Sequence, residues 1–73
     1  MSKSIHTSEY KVITKKLREA RESIGFTQAE AADKLGKPQS YVSKIERSER
    51  RVDAVELIEF SKLYKKPLEW FVK

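Results

Sequence analysis

The side chains best suited to chemistry in this chain lie between residues 39 and 47, where polar groups recur on one side of a short helical segment. They are an amide, two hydroxyls, an ammonium and a guanidinium, carried by Gln39, Ser40, Ser43, Lys44 and Arg47. Amides and hydroxyls donate and accept hydrogen bonds, whereas the two cations donate and attract anions. No cysteine or histidine accompanies them, so the pattern favours recognition over catalysis.

The elements that must position these side chains are two short helices joined by a tight turn, spanning residues 28–47. Small and apolar residues recur on the side opposite the polar groups, at Ala29, Ala32, Leu35, Val42 and Ile45. The two helices can therefore meet on one buried side while the polar side chains of the second helix face outward. Such a pair is typical of a helix-turn-helix, whose second helix enters the major groove of DNA.

Length and composition indicate one small domain. The 73 residues leave room for a modest core only, because small domains bury a lower fraction of their surface. The chain has no cysteine, so helix packing must stabilise it without a disulfide or a thiolate metal site. No segment is long and apolar enough to span a membrane, and the N-terminus lacks the apolar core of a signal peptide. We expect a cytoplasmic protein.

The charge of the chain favours a polyanionic partner. Lys and Arg total 16 against 11 Asp and Glu, which gives a formal net charge of +5. A basic protein gains affinity for nucleic acid through the release of counterions. Positive residues also cluster in and just after the second helix of the pair, where only Glu46 and Glu49 oppose them: Lys37, Lys44, Arg47, Arg50 and Arg51.

Helical periodicity predicts one longer helix before the pair. Residues 1–7 are mostly polar and are interpreted as a flexible arm, in which His6 has no partner for a metal or catalytic role. Ser8 can cap a helix over residues 9–23, and Gly25 can end it. The apolar stripe of this helix comprises Ile13, Leu17, Ala20 and Ile24.

Capping signals mark the second and third helices. Thr27 and Glu30 form a capping box that starts the second helix, and Gly36 can adopt positive φ in the turn that follows. Pro38 is predicted as the first residue of the third helix, which covers residues 38–47. Proline suits that position because its missing N–H would have been unpaired there.

Two further helices are predicted after the charged loop at residues 48–52. Asp53 and Glu56 form a second capping box, which opens a fourth helix through about Tyr64. Pro67 is predicted to start a short final helix. That helix carries Leu68, Trp70 and Phe71.

Four motifs taken together make the chain similar to a known family. They are LREAR at residues 17–21, FTQAE at 26–30, VSKIER at 42–47 and LEWF at 68–71. Through them the chain resembles the lambda-repressor and Cro-like helix-turn-helix family of phage and bacterial regulators. The resemblance covers nearly the whole chain after the arm. It implies a compact all-α domain of five helices over residues 8–73.

The resemblance also implies which residues contact DNA. Gln39, Ser40 and Lys44 occupy the base-reading positions, and Ser43 lies close by on the same face. A glutamine can bond bidentately to an adenine edge, a serine tolerates several bases, and a lysine favours guanine acceptors. Gln28 can brace Gln39. The phosphate-contacting positions implied by the family are Thr27, Gln28, Arg47, Arg50 and Arg51.

Arg21 and Glu46 match a pair that forms an interior salt bridge between helices one and three in some relatives. Such a pair fixes the recognition helix more than it stabilises the fold, because desolvation offsets much of the attraction. The chain departs from the family pattern in two places. Lys65 and Lys66 stand where a glycine and an apolar residue are usual, and the loop at residues 48–52 holds no glycine.

A homodimer is expected, because a single recognition helix reads only a few base pairs and two copies on half-sites of an inverted repeat would add specificity. Within the final helix we assign Trp70 to the core. Leu68 and Phe71 are the candidates for a dimer surface.

These observations predict a sequence-specific regulator of transcription that binds double-stranded DNA, as a repressor or an autoregulating controller. An alternative of a different class is a protein-interaction module, such as an antitoxin-like partner whose DNA binding is secondary. We expect no enzyme activity, cofactor, metal or small-molecule ligand. The sequence lacks a Gly-rich phosphate loop, a cluster of metal ligands and a histidine placed near a nucleophile.

Overall fold

Five α-helices make up the part of the chain that the computed structural model describes, residues 7–73. In chain order they are α1 (Ser8–Ile24), α2 (Gln28–Leu35), α3 (Gln39–Glu46), α4 (Ala54–Tyr64) and α5 (Leu68–Phe71). The prediction of an all-α, five-helix fold is confirmed, and these residues contain no strand. None of the five helices is long and apolar enough to cross a membrane. The predicted arm falls on residues outside this part of the chain, apart from Thr7.

Reciprocal side-chain caps determine where α2 and α4 begin. The Thr27 hydroxyl accepts a hydrogen bond from the Glu30 N–H at 3.1 Å, and the Glu30 carboxylate accepts one from the Thr27 N–H at 2.8 Å. Asp53 and Glu56 form the same pair of bonds at 2.8 and 3.0 Å. Both predicted capping boxes are confirmed. Each cap is expected to stabilise its helix by about 1 kcal/mol.

Three helices begin one residue away from the predicted position. Thr7, not Ser8, caps α1, because Thr7 has extended backbone angles and its hydroxyl accepts a hydrogen bond from the Tyr10 N–H at 3.1 Å. Ser8 is therefore the first helical residue. Pro38 and Pro67 are N-caps of α3 and α5, since their ψ angles of 156° and 153° are extended rather than helical. The prediction that these prolines are the first residues of their helices was wrong.

Residues in the left-handed conformation follow each of the first four helices. Gly25 and Gly36 have φ of 88° and 69° and end α1 and α2 as predicted. Ser48 and Lys65 adopt φ of 59° and 60° after α3 and α4, although both carry side chains. In each case N–H groups beyond the helix bond back to carbonyls of its last turn. These bonds satisfy carbonyls that the helix itself would leave unpaired.

Lys65→Gly is expected to stabilise the protein by about 0.5 to 1 kcal/mol, because glycine reaches this backbone angle without a Cβ clash. The Lys65 side chain makes no hydrogen bond or ion pair within the described residues, so little is lost. Chemical denaturation followed by circular dichroism measures the change. Ser48→Gly is the matched control. It removes the same backbone strain at positive φ, but it also removes the hydrogen bond between the Ser48 and Thr14 hydroxyls, which offsets the gain in stability. Equal stabilisation by the two variants would contradict this explanation.

Each of the five helices contributes one face to the hydrophobic core. Its buried apolar residues are, from α1 to α5, Leu17 and Ala20, Ala31 and Ala32, Tyr41, Val42 and Ile45, Phe60 and Tyr64, and Phe71. α1 packs against α3, α4 and α5, and α2 packs against α3 and α4. Ala29 was predicted to face the partner helix but is exposed, and Ala31 takes its place. The inner face of α2 is thus centred between Ala31 and Leu35, away from its first turn.

The arrangement of α5 corrects the prediction for its aromatic residues. Phe71, a predicted candidate for a dimer surface, has 0% of its surface exposed and lies in the core. Trp70, predicted as the core residue, is half-buried and packs edge-on against Phe71, with Lys16 and Lys66 over its ring. Consecutive helical residues point about 100° apart, and here Phe71 faces the core while Trp70 packs against the edge of the core. Leu68 is exposed.

Candidate nucleic-acid interface

α2 and α3 form the helix pair that the sequence pattern predicts. They pack directly against each other, and α1 packs against α3. Tyr41, Val42 and Ile45 are buried and fix the inner face of α3 in the core. The connection is short because Gly36 is left-handed and Pro38 is extended, so the chain reverses within one turn. The position and the roll of α3 are therefore set by its buried side.

The outer face of α3 carries the four predicted base-reading side chains. Gln39, Ser40 and Lys44 are exposed, and no hydrogen bond or ion pair within residues 7–73 engages their side chains. Ser43 is half-buried, and its hydroxyl accepts a hydrogen bond from Arg47 Nη1 at 2.7 Å. One surface thus presents an amide, a hydroxyl and an ammonium whose hydrogen-bonding groups are free to bind a partner.

The last residue of α3 anchors this helix to α1 and α2. The Glu46 carboxylate accepts hydrogen bonds from Arg21 Nε at 2.7 Å, Arg21 Nη2 at 3.1 Å and Gln28 Nε2 at 3.0 Å. Only 11% of the Arg21 side chain and 4% of the Glu46 side chain are exposed. The hydrogen bond to Glu46 raises the pKa of Arg21 above its ordinary value. The structure thus places this ion pair between α1 and α3, where the resemblance implied it.

Two residues at the start of α2 are already engaged. The Gln28 amide donates to Glu46, whereas the resemblance implied that it would brace Gln39. Because one of the two amide hydrogens binds Glu46, the other is left for a second acceptor. The Thr27 hydroxyl accepts the capping bond from Glu30 but remains at the surface, where its own hydrogen can still be donated.

The loop between α3 and α4 is held by α1 at two places. The hydroxyls of Ser48 and Thr14 are 2.9 Å apart, and both residues are buried. The Tyr10 hydroxyl accepts a hydrogen bond from the Val52 N–H at 2.6 Å and donates to the Arg50 carbonyl at 3.1 Å. Sequence reasoning missed Tyr10. Its partners lie 40 and 42 residues away along the chain, and no local pattern relates positions so far apart.

Arg50 is bound on three sides within the protein. Its guanidinium pairs with the Glu56 carboxylate at 3.1 Å, donates to the Arg51 carbonyl at 2.7 Å and lies 4.7 Å from the centre of the Tyr41 ring. The hydrogen bond to Glu56 raises the pKa of Arg50. Burial acts to raise the pKa of Glu56, but the bonds from Arg50 and from the Asp53 backbone outweigh it, so the pKa of Glu56 lies below its usual value.

Arg47 and Arg51 differ in how their charges are compensated. Arg47 donates to both oxygens of the Glu49 carboxylate, at 3.2 and 3.0 Å. This bond raises the pKa of Arg47 and lowers that of Glu49. The pair is exposed, so solvent weakens it and the arginine can exchange partners. The Arg51 guanidinium is exposed and has no carboxylate partner within the described part of the chain.

The arrangement of free hydrogen-bonding groups on α3 can recognise a ligand. A surface depression of about 570 Å³ beside the α3–α4 loop is lined by Arg50, Arg51, Val52, Asp53 and Glu56. Arg50 and Glu56 are paired with each other there and Asp53 caps α4, whereas Arg51 has no carboxylate partner within the described residues. No group of three or more His, Cys, Asp or Glu residues that could hold a metal ion occurs within residues 7–73.

The two packed helices, with a buried inner face and a polar outer face on the second, define the helix-turn-helix class of protein. A family model described as helix-turn-helix matches residues 17–71. The chain belongs to this family. It is also similar to the HTH-type transcriptional regulator ImmR of Bacillus subtilis (strain 168), with 44% identity over 50 residues. That match covers 68% of this chain and 39% of the relative, so the chain spans well under half of the relative's length.

Proposed function

We propose that this protein is a sequence-specific regulator of transcription that binds double-stranded DNA through α3. The observation that carries the proposal is the exposed row Gln39, Ser40 and Lys44, which makes no side-chain hydrogen bond or ion pair within the described residues and lies on a helix whose other side is buried. A single helix fits the major groove, where the four base pairs are all distinguishable. Membership in the helix-turn-helix family and similarity to a transcriptional regulator support the same function.

Base contacts are assigned to the outer face of α3. Gln39 would bond bidentately to an adenine edge, Lys44 would donate to guanine acceptors, and Ser40 would bond to either kind of base. Ser43 is the fourth base-reading residue, and it would exchange its bond from Arg47 for one with DNA. These contacts determine which sequence is bound.

Phosphate contacts are assigned to the residues around this helix, which position the protein without carrying sequence information. Arg51 can bind a phosphate directly, because no carboxylate within residues 7–73 competes for it. Arg47 is paired with Glu49, and Arg50 with Glu56. Each arginine would either bind a phosphate while keeping its carboxylate partner or exchange that partner for the phosphate. The complete set is Thr27, Gln28, Arg47, Arg50 and Arg51.

A homodimer on an inverted repeat would supply specificity that one recognition helix lacks, with half-sites about 10 base pairs apart. Leu68 is 43% exposed and is the residue of α5 that we assign to the dimer surface. In this proposal the protein acts as a repressor or an autoregulating controller in the bacterial cytoplasm, where its DNA is accessible. It requires no cofactor.

Selection of bound duplexes from a randomised DNA pool near physiological salt tests the proposal. We expect the purified chain to enrich an inverted repeat. Retention of DNA without an enriched sequence would contradict sequence-specific binding. Failure to retain any duplex would instead favour a protein-interaction module whose principal partner is another protein.

A further inference from the structure

The Tyr10 hydroxyl bonds to the backbone on both sides of Arg51. Tyr10 donates to the Arg50 carbonyl and accepts from the Val52 N–H. The Arg51 carbonyl in turn accepts a hydrogen bond from Arg50 Nη1 at 2.7 Å. The two peptide units on either side of Arg51 hold four polar groups, which are the carbonyls of Arg50 and Arg51 and the N–H groups of Arg51 and Val52. Both carbonyls and the Val52 N–H are therefore hydrogen-bonded. Burial raises the pKa of Tyr10, so its hydroxyl keeps the proton that it donates at neutral pH.

The fourth polar group of these two peptides, the Arg51 N–H, has no partner within the described residues. The Arg51 guanidinium also makes no hydrogen bond or ion pair there. A backbone N–H and a guanidinium are both donors that proteins use to bind phosphate oxygens, and here one residue supplies both. The bonds around Arg51 thus fix its backbone while leaving its own donors free.

We propose that Tyr10 is a positioning residue for DNA binding, which holds the α3–α4 loop so that Arg51 offers its N–H and its guanidinium to the phosphate backbone. This inference rests on the proposed function. Tyr10 itself does not contact the DNA and acts through Arg51. The loop contains no glycine and departs from helical geometry at Ser48. Its conformation therefore depends on bonds from outside the loop, and Tyr10 supplies two of them.

Tyr10→Phe is the variant that tests this inference, because it keeps the ring and removes only the hydroxyl. We expect affinity for a duplex enriched from the random pool to fall about tenfold, since a loop residue must then be ordered on binding. The slope of log affinity against log salt should stay unchanged because Tyr10 carries no charge. Arg51→Gln should instead lower the slope by about 0.9, the value for one phosphate contact.

A double-mutant cycle separates positioning from a general loss of structure. If Tyr10 acts through Arg51, the effect of Tyr10→Phe on affinity should shrink in the Arg51→Gln background. A general loss of structure would give the same fold-change in both backgrounds. Ser61→Ala is the matched control, because it removes a hydroxyl that bonds to a backbone carbonyl, that of Lys66, at the end of α4. We expect this control to leave DNA affinity unchanged.

Hydrogen exchange in the free protein provides a readout that does not require DNA. The Val52 amide should exchange faster in Tyr10→Phe, while core amides such as that of Ile45 keep their protection. Unchanged Val52 protection, or wild-type affinity of the folded variant, would overturn the inference even if the wild-type chain binds DNA. If the wild-type chain bound no duplex, both the proposed function and this inference would be wrong.

Discussion

Glu46→Ala is expected to destabilise the protein by about 3 kcal/mol, the lower end of the cost of breaking a buried ion pair. The Arg21 guanidinium would lose two hydrogen bonds in a site where only 11% of its side chain is exposed. Glu22 lies 3.9 Å from Arg21 and can take over part of the charge, which favours the lower end of the range. Gln28 would lose its partner as well. Urea denaturation followed by circular dichroism measures the loss.

The matched control replaces both charges, as Arg21→Met with Glu46→Leu. Removal of both partners leaves no buried charge without a partner, so most of the lost stability should return. The Phe26 carbonyl loses the hydrogen bond from Arg21, which sets a limit on the recovery. If the double variant were no more stable than Glu46→Ala, the cost would lie in packing and not in the unpaired guanidinium.

Gln39→Ala is expected to weaken binding to the selected duplex by about 1 to 3 kcal/mol and to relax preference at one base position. The Gln39 side chain has no partner within residues 7–73, so its removal should leave the stability of the free protein unchanged. Repeating the selection with the variant shows directly which position loses its preference. Competition with single-base variants of the duplex gives the size of the effect.

Arg51→Gln is the contrasting variant, because it removes the phosphate contact proposed for Arg51 and leaves the proposed base-reading side chains in place. Its affinity should fall by a similar factor for every duplex, and the salt dependence should become shallower. The assignment of Gln39 to a base would be contradicted if both variants weakened all sequences equally.

Local signals in the sequence predicted most of the fold. The two capping boxes and the glycines at positions 25 and 36 act within a few residues of the helix ends, so their types alone indicate where those helices start and stop. The periodic stripe at Leu17 and Ala20 likewise identified the buried face of α1. Such features depend on the chain nearby and little on the rest of the molecule.

Features that depend on tertiary contacts could not be predicted in this way. The choice between Trp70 and Phe71 as the buried ring depends on how α5 rolls against α1 and α4. The choice of Ala31 over Ala29 depends on which face of α2 meets α3 and α4. The bonds from Tyr10 to the loop depend on a fold that brings residues 40 positions apart together. The assignments of bases, phosphates and a dimer surface stay predictions.

Trp70 is the single tryptophan of the chain, and the ammonium groups of Lys16 and Lys66 lie 4.5 and 4.9 Å from its ring. Indole emission depends on nearby charge and on hydration, so the protein carries an intrinsic fluorophore whose emission reports on the surroundings of α5. Unfolding and the release of α5 would change this emission. Dimer formation through the nearby Leu68 would change it too, which makes self-association measurable by light without a label.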